Sequence, residues 1–216
     1  MELFRLILSI VLAGVLAYLV GSINFAIIVS KLFAQKDIRD YGSGNAGMTN
    51  VLRTFGKLPA VITTVGDFLK GIIAMLLGRW IISVIGGGEA LFYVDYLLAL
   101  SALLGHCFPV FYRFKGGKGI LVSAGTILML NPIIFLVILI VFGIVVAISK
   151  IVSLASISAA VAFPIATWIY GLIVCDGMVW FDTSSALLIA GIVVFMHRSN
   201  IKRLLNGTEN KFGKKK

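Results

Sequence analysis

Apolar residues run along this chain in long, nearly unbroken stretches, and the polar residues collect in the short gaps between them. Seven stretches read as membrane crossings, at roughly 5–30, 55–85, 91–112, 119–131, 133–149, 152–174 and 184–197, each to be compared with the ~20 apolar residues that a spanning helix needs. Ile120 to Ile148 is apolar enough for one long helix, but Asn131-Pro132 stands in its middle. Proline disfavours helical backbone at the residue before it, so the dipeptide reads as a turn. Each half is then short, and the fourth crossing reads as a half-span or as a place where the protein thins the bilayer. The first apolar run exceeds the core of a cleavable signal peptide, and its Gly14, Gly21, Ser22 and Asn24 suit close helix packing. The expectation is an all-α integral membrane bundle of seven transmembrane helices, one domain over residues 1–216 with a flexible basic tail at 210–216.

Composition agrees. The chain is 60% hydrophobic and only 13% charged, against roughly 25% charged in soluble domains. Its charge then orients the spans. With the amino terminus outside and seven crossings, one face receives Lys31, Lys36, Arg39, Arg53, Lys57, Arg113, Lys115, Lys118, Lys150 and the basic tail, sixteen of the nineteen basic residues. The opposite face collects Glu2, Glu89, Asp95, Asp176 and Asp182. The basic side is cytoplasmic by the positive-inside rule, which puts the carboxyl terminus there too. Six crossings would break the pattern. The net charge of +10 is therefore mostly topological, with membrane lipids as partners; nucleic acid is excluded because no soluble domain carries the cations. Cys107 and Cys175 are isolated, which argues against a disulfide framework or a metal site.

The unusual polar sequence all falls on the basic face. Residues 42–53 read Gly-Ser-Gly-Asn-Ala-Gly-Met-Thr-Asn-Val-Leu-Arg. Three glycines in six residues allow a backbone to curve around a ligand, Ser43, Asn45, Thr49 and Asn50 supply donors, and Arg53 suits a phosphate. Thr49 or Asn50 could cap the following helix and aim its free amides at an anion. Residues 105–109, Gly-His-Cys-Phe-Pro, precede Phe114-Lys115-Gly116-Gly117-Lys118-Gly119. There Lys118, among glycines and opening a helix, has the character of a phosphate-binding lysine, although no Ser/Thr follows it as in a nucleotide P-loop. His106 reads as a residue that orients this loop. Ser153 and Ser156 share a helix face after Lys150, and His197 and Asn200 sit three apart at the last membrane boundary. Asp67 and Lys70, also three apart, form an intramembrane pair that either neutralises itself, the favoured reading, or sits near the site.

Together, Gly42–Asn50 with Arg53, Gly105–Pro109, Phe114–Gly119, Ser153-Leu154-Ala155-Ser156 and His197-Arg198-Ser199-Asn200 resemble the bacterial membrane acyltransferases that use acyl phosphate to acylate glycerol 3-phosphate. The resemblance runs in order along nearly the whole chain. The His-x-x-x-x-Asp signature of other acyltransferases is absent, since Phe111 and Lys202 stand five residues after the two histidines. The resemblance implies seven helices, a bacterial inner membrane with the site facing the cytoplasm, no cofactor or metal, and lysophosphatidic acid and phosphate as products. It implies that Ser43, Gly44, Asn45, Gly47, Thr49 and Asn50 grip the acyl phosphate. Arg53, Lys118, Ser156, Ser153, His197 and Asn200 would surround glycerol 3-phosphate, with catalysis resting on Lys118, Arg53, His197 and Ser43. Direct transfer is expected, because an acyl phosphate is an activated mixed anhydride and neither Ser43 nor Ser156 has a Ser-His-Asp companion pattern. A small anion transporter is the competing class, and a membrane scaffold a third. The outer loops lack a matching polar set and no inverted repeat is visible, which weighs against transport.

Overall fold

The computed structural model describes residues 2–86, 92–175 and 177–211. Among these residues every regular element is helical. Glu89, Asp176 and the tail beyond Lys211, all used in the charge argument, lie outside the described residues. The chain divides into two compact units, Met1–Leu130 and Asn131–Lys216.

In the first unit, α1 (Glu2–Ser22), α2 (Phe25–Ala34), α3 (Met48–Phe55), α4 (Lys57–Gly86), α5 (Phe92–Cys107) and α6 (Ile120–Leu130) follow in order. Helices α1 and α4 pack together, α5 packs on α1, and α6 packs on α4. Small residues permit this closeness. A methyl at Gly21 would strike the Ala102 backbone, one at Gly105 the Tyr18 carbonyl, and one at Gly71 the Val122 carbonyl. This is how helices gain contact where lipid supplies no hydrophobic drive between them.

The predicted first crossing is broken in two. Asn24 leaves the helix with extended backbone, and its side chain accepts from Ile27 N at 3.1 Å to start α2. The apolar run hid this break, because Ile23 and Phe25 continue the hydrophobic pattern on either side. The second crossing starts only at Lys57; a Gly56 at φ +89 separates it from the short α3.

In the second unit, α7 (Pro132–Ser149) packs on α8 (Val152–Ile173), α8 on α9 (Val179–Met196), and α10 (Arg198–Leu205) follows α9. The Asn131-Pro132 break is present. Asn131 caps α7 by accepting from Ile133 N and Ile134 N at 2.9 and 3.2 Å, and Pro132 takes the first turn, where its missing N–H costs nothing. The last crossing begins at Val179, five residues before the apolar run suggested.

Among the described residues, six segments are long and apolar enough to cross a membrane: Glu2–Ala34, Lys57–Gly86, Tyr93–Tyr112, Pro132–Ser149, Val152–Ile173 and Val179–Met196. The remaining apolar helix, α6, has 11 residues, about 16 Å against a hydrocarbon core of about 30 Å.

Candidate active site

The segment after α2 is built on an apolar plug. Ala26, Ile27, Ile38, Ala46, Val51 and Ala60 form a buried cluster, closed by Met48, Leu52, Phe55 and Tyr112. Over it, residues 38–50 wrap around one side chain. The Asn50 amide nitrogen donates to Ile38 O, Tyr41 O and Asn45 O at 3.2, 2.9 and 3.1 Å, and its oxygen accepts from Ser43 N at 3.0 Å. Gly42 and Gly44 turn the chain at φ +59 and +70; a methyl on Gly42 would also strike the Asn50 oxygen. Asn50 therefore organises the loop from inside, at 2% exposure. It does not cap α3: the cap is Gly47, with no side-chain bond, and Thr49 and Asn50 lie within the first turn. The loop leaves Ser43 and Gly44 exposed, Asn45, Gly47 and Thr49 half-buried, and Arg53 exposed one turn further along α3.

The second glycine segment folds back on the end of α5. Gly116 N donates to Cys107 O at 3.2 Å and Gly117 N to His106 O at 3.1 Å. These two amides are thus engaged with the helix end. Their role is close approach: a methyl on Gly116 would strike His106 O, and one on Gly117 both His106 Nε2 and Ala46 O. Gly119, at φ +86, turns the chain into α6, so the half-buried Lys118 stands two residues before the helix.

The two loops meet within the first unit. Arg39 ties them: it pairs with Asp37 through Nε and Nη2 at 3.0 and 2.8 Å, and its Nη1 donates to Tyr112 O and Lys115 O at 2.9 and 3.2 Å. The guanidinium hydrogen bond holds the Asp37 carboxyl below its ordinary range and raises Arg39 in return. Sequence reasoning counted Arg39 only as a topological charge; the Asp37-x-Arg39 spacing was the available signal. Beneath the loops, Lys70 Nζ lies 2.8 Å from Asp67 Oδ1, so the expected pair exists, fully buried. The same Nζ reaches His106 Nδ1 at 2.8 Å and donates to Ile23 O at 2.6 Å.

In the second unit, α8 and α9 form a hairpin, so the start of α8 and the end of α9 share one end. Ser153 and Ser156 are buried there. Ser156 donates to Val152 O at 2.9 Å, while Ser153 Oγ has no hydrogen-bond partner among the described residues. His197, 3% exposed, stands between α9 and α10 with Nδ1 2.7 Å from Val193 O. A carbonyl can only accept, so Nδ1 carries a proton and donates it there. The chain reverses at Gly207, φ +66, and returns Glu209 to α10. Glu209 accepts from Asn200 Nδ2 at 3.2 Å and from Arg203 Nε at 2.7 Å. Glu209 received no role from the sequence, because its partners lie on the helix before the reversal.

Fold and loops define an integral membrane protein of packed apolar helices that carries two glycine-rich polar loops side by side. Residues 11–207 match the family model described as glycerol-3-phosphate acyltransferase. The glycerol-3-phosphate acyltransferase of Clostridioides difficile is 44% identical over the full length of both chains. Glycerol-3-phosphate acyltransferase 2 of Bacillus anthracis is also 44% identical, over 93% of this chain and 98% of its own. The crystal structure of PlsY (YgiH), an integral membrane glycerol 3-phosphate acyltransferase in its glycerol 3-phosphate form, superposes with a TM-score of 0.80 at 34% identity, covering 95% of this chain and 96% of that one. The chain belongs to the glycerol-3-phosphate acyltransferase family and is an acyltransferase.

Proposed function

We propose that this chain transfers an acyl group from acyl phosphate to the 1-hydroxyl of glycerol 3-phosphate, at the cytoplasmic face of a bacterial inner membrane, for phospholipid synthesis. Relatives named for the acceptor, and a matching structure of PlsY in a lysophosphatidic acid form, support acceptor and product. The observation that carries the reading is the pair of glycine loops fixed against one another by Arg39 and at Gly117, because donor and acceptor each bring a phosphate.

The donor's phosphate is assigned to the crown of the first loop: Ser43, Gly44, Asn45, Gly47 and Thr49, held in shape by Asn50. Arg53 and Lys118 are assigned to the acceptor's phosphate and to the charge that develops in transfer. By the resemblance, Ser153, Ser156, His197 and Asn200 also serve the acceptor. The hydroxyl oxygen attacks the acyl carbonyl, a C–O ester bond forms, the acyl–phosphate bond breaks and inorganic phosphate leaves. The proton passes to a phosphate oxygen, with His197 Nε2 as the alternative acceptor. Cations and positioning supply the acceleration, since the leaving group needs little protonation.

Seven crossings with the amino terminus outside belong to this reading, α6 serving as the short fourth. That arrangement keeps Lys150 and Arg198 on the side of Arg39 and Lys118.

Purified protein in detergent, given acyl phosphate and glycerol 3-phosphate, tests the reaction. Phosphate release should need both substrates and fall about 10²–10³-fold in Lys118→Ala, the scale of removing one charge-stabilising donor. Release without acceptor, or solute flux in liposomes without release, overturns it.

A further inference from the structure

The buried Asp67–Lys70–His106 cluster lies outside the residues assigned to substrates, and its geometry specifies more than neutralisation. An ammonium has three donors. Around Lys70 Nζ stand three acceptors: Asp67 Oδ1 at 2.8 Å, His106 Nδ1 at 2.8 Å and Ile23 O at 2.6 Å. Lys70 can only donate, so Nδ1 of His106 must accept, and the ring proton sits on Nε2. That Nε2 is the atom a methyl on Gly117 would meet, together with Ala46 O from the first loop. The His106 carbonyl meanwhile accepts from Gly117 N. Asn24 Nδ2 reaches the same Ala46 carbonyl at 3.5 Å, and Phe25 N reaches Asp67 Oδ1 at 3.4 Å. The α1–α2 break, the first loop and the second loop thus converge on one buried cluster.

We propose that Asp67, Lys70 and His106 are positioning residues that set the spacing of the two glycine loops: Lys70 fixes the His106 ring so that Nε2–H faces the seam between Ala46 and Gly117. The consequence for catalysis rests on reading both loops as phosphate sites; the fixed tautomer does not. None of the three touches substrate in this scheme. They act through Gly117 and Ala46, and so on Lys118 and the Ser43 loop.

Two substitutions separate positioning from simple satisfaction of a buried lysine. His106→Asn retains an acceptor near the Nδ1 position for Lys70 but places nothing at the seam. His106→Gln places an amide nitrogen near the Nε2 position and loses the Lys70 acceptor. Positioning predicts that His106→Gln keeps kcat/KM for phosphate release within about tenfold of the parent, the scale of one hydrogen bond, while His106→Asn loses clearly more. Equal losses, or the reverse order, overturn it. A second measurement needs neither substrates nor variants at the cluster. Nitrogen-15 spectra of the two histidines, assigned with His197→Gln, should show the His106 ring protonated at Nε2 and bare at Nδ1. A ring protonated at Nδ1 overturns the proposal even if the kinetic variants fail to fold. If the parent protein releases no phosphate, the functional reading fails, and the tautomer still decides the geometry.

Discussion

Asn50→Asp should damage the first loop more than Asn50→Ala, although aspartate is nearly isosteric with asparagine. The Asn50 amide has two N–H donors serving three backbone carbonyls, Ile38 O, Tyr41 O and Asn45 O. Alanine removes both donors and also the oxygen that accepts from Ser43 N, which aspartate keeps; at about 1 kcal/mol net for each, the loss is about 3 kcal/mol, with some addition for the space vacated. Aspartate removes the same donors and turns a carboxylate oxygen toward the same three carbonyls, in a position only 2% exposed. Burying that unpaired polar oxygen adds about 1–3 kcal/mol, so the total reaches about 3–5 kcal/mol. Since each 1.4 kcal/mol is tenfold, local opening should become more frequent by roughly 10²-fold to several thousandfold in the aspartate variant. Hydrogen exchange of peptides covering 38–50, measured in micelles without substrate, reads this directly, because Tyr41 N, Ser43 N and Gly44 N are all bonded inside the loop. Phosphate release would fall in parallel. Unchanged exchange with lost activity would mean that Asn50 serves the ligand instead of the loop, and a milder effect for aspartate than for alanine would refute the donor count.

The pairing of Arg39 with Asp37 predicts a pH dependence. The Asp37 carboxyl is held below its ordinary value of 3.8, so its contribution is complete above that value and is lost as the pH falls through the lower folded value. The difference in melting temperature between the parent and Asp37→Asn in micelles should be constant from neutral pH down to about 4 and shrink below it. Gly117→Ala forces a methyl between His106 Nε2 and Ala46 O; at about 1–3 kcal/mol for overpacking, kcat/KM should fall about 5- to 100-fold with the helices intact by circular dichroism. Cys175 is exposed and Cys107 buried, so a membrane-impermeant thiol reagent should label Cys175 from outside intact spheroplasts. Labelling only after lysis would mean that α6 does not cross.

What the sequence made legible was whatever depends on length and local spacing. The apolar runs gave the helices, Asn131-Pro132 gave the break between α6 and α7, and the i,i+3 spacing of Asp67 and Lys70 gave their ion pair, since residues three apart share a helix face. Three things were hidden, two of them set by contacts between distant residues. His106 meets Lys70 across 36 positions, and Arg39 meets Tyr112 O across 73. The Asn24 break looked like an interior polar residue, because a single asparagine between Ile23 and Phe25 leaves the apolar run intact. The substrate roles given to the site residues came from resemblance, and no spacing within the chain could have supplied them.

The donor counts also explain which polar residues these loops required. A loop at a membrane surface has a wet side and an apolar plug, and neither satisfies carbonyls turned inward, so some side chain must donate to them. Each inward cluster here is met by a side chain whose donors suit it. Asn50 offers two donors and an acceptor to three carbonyls and an amide. Arg39 offers a planar fork to Asp37 and a further donor to the Tyr112 and Lys115 carbonyls, which the point charge of a lysine could not match. Lys70 offers three donors to three acceptors. A polar, glycine-rich segment in an apolar chain is thus only partly explained by a ligand, because part of its polarity builds the cradle. The exposed Ser43 and Arg53 have no such internal duty among the described hydrogen bonds, and this division separates residues whose loss should disorder a loop from those whose loss should leave an ordered loop that binds poorly.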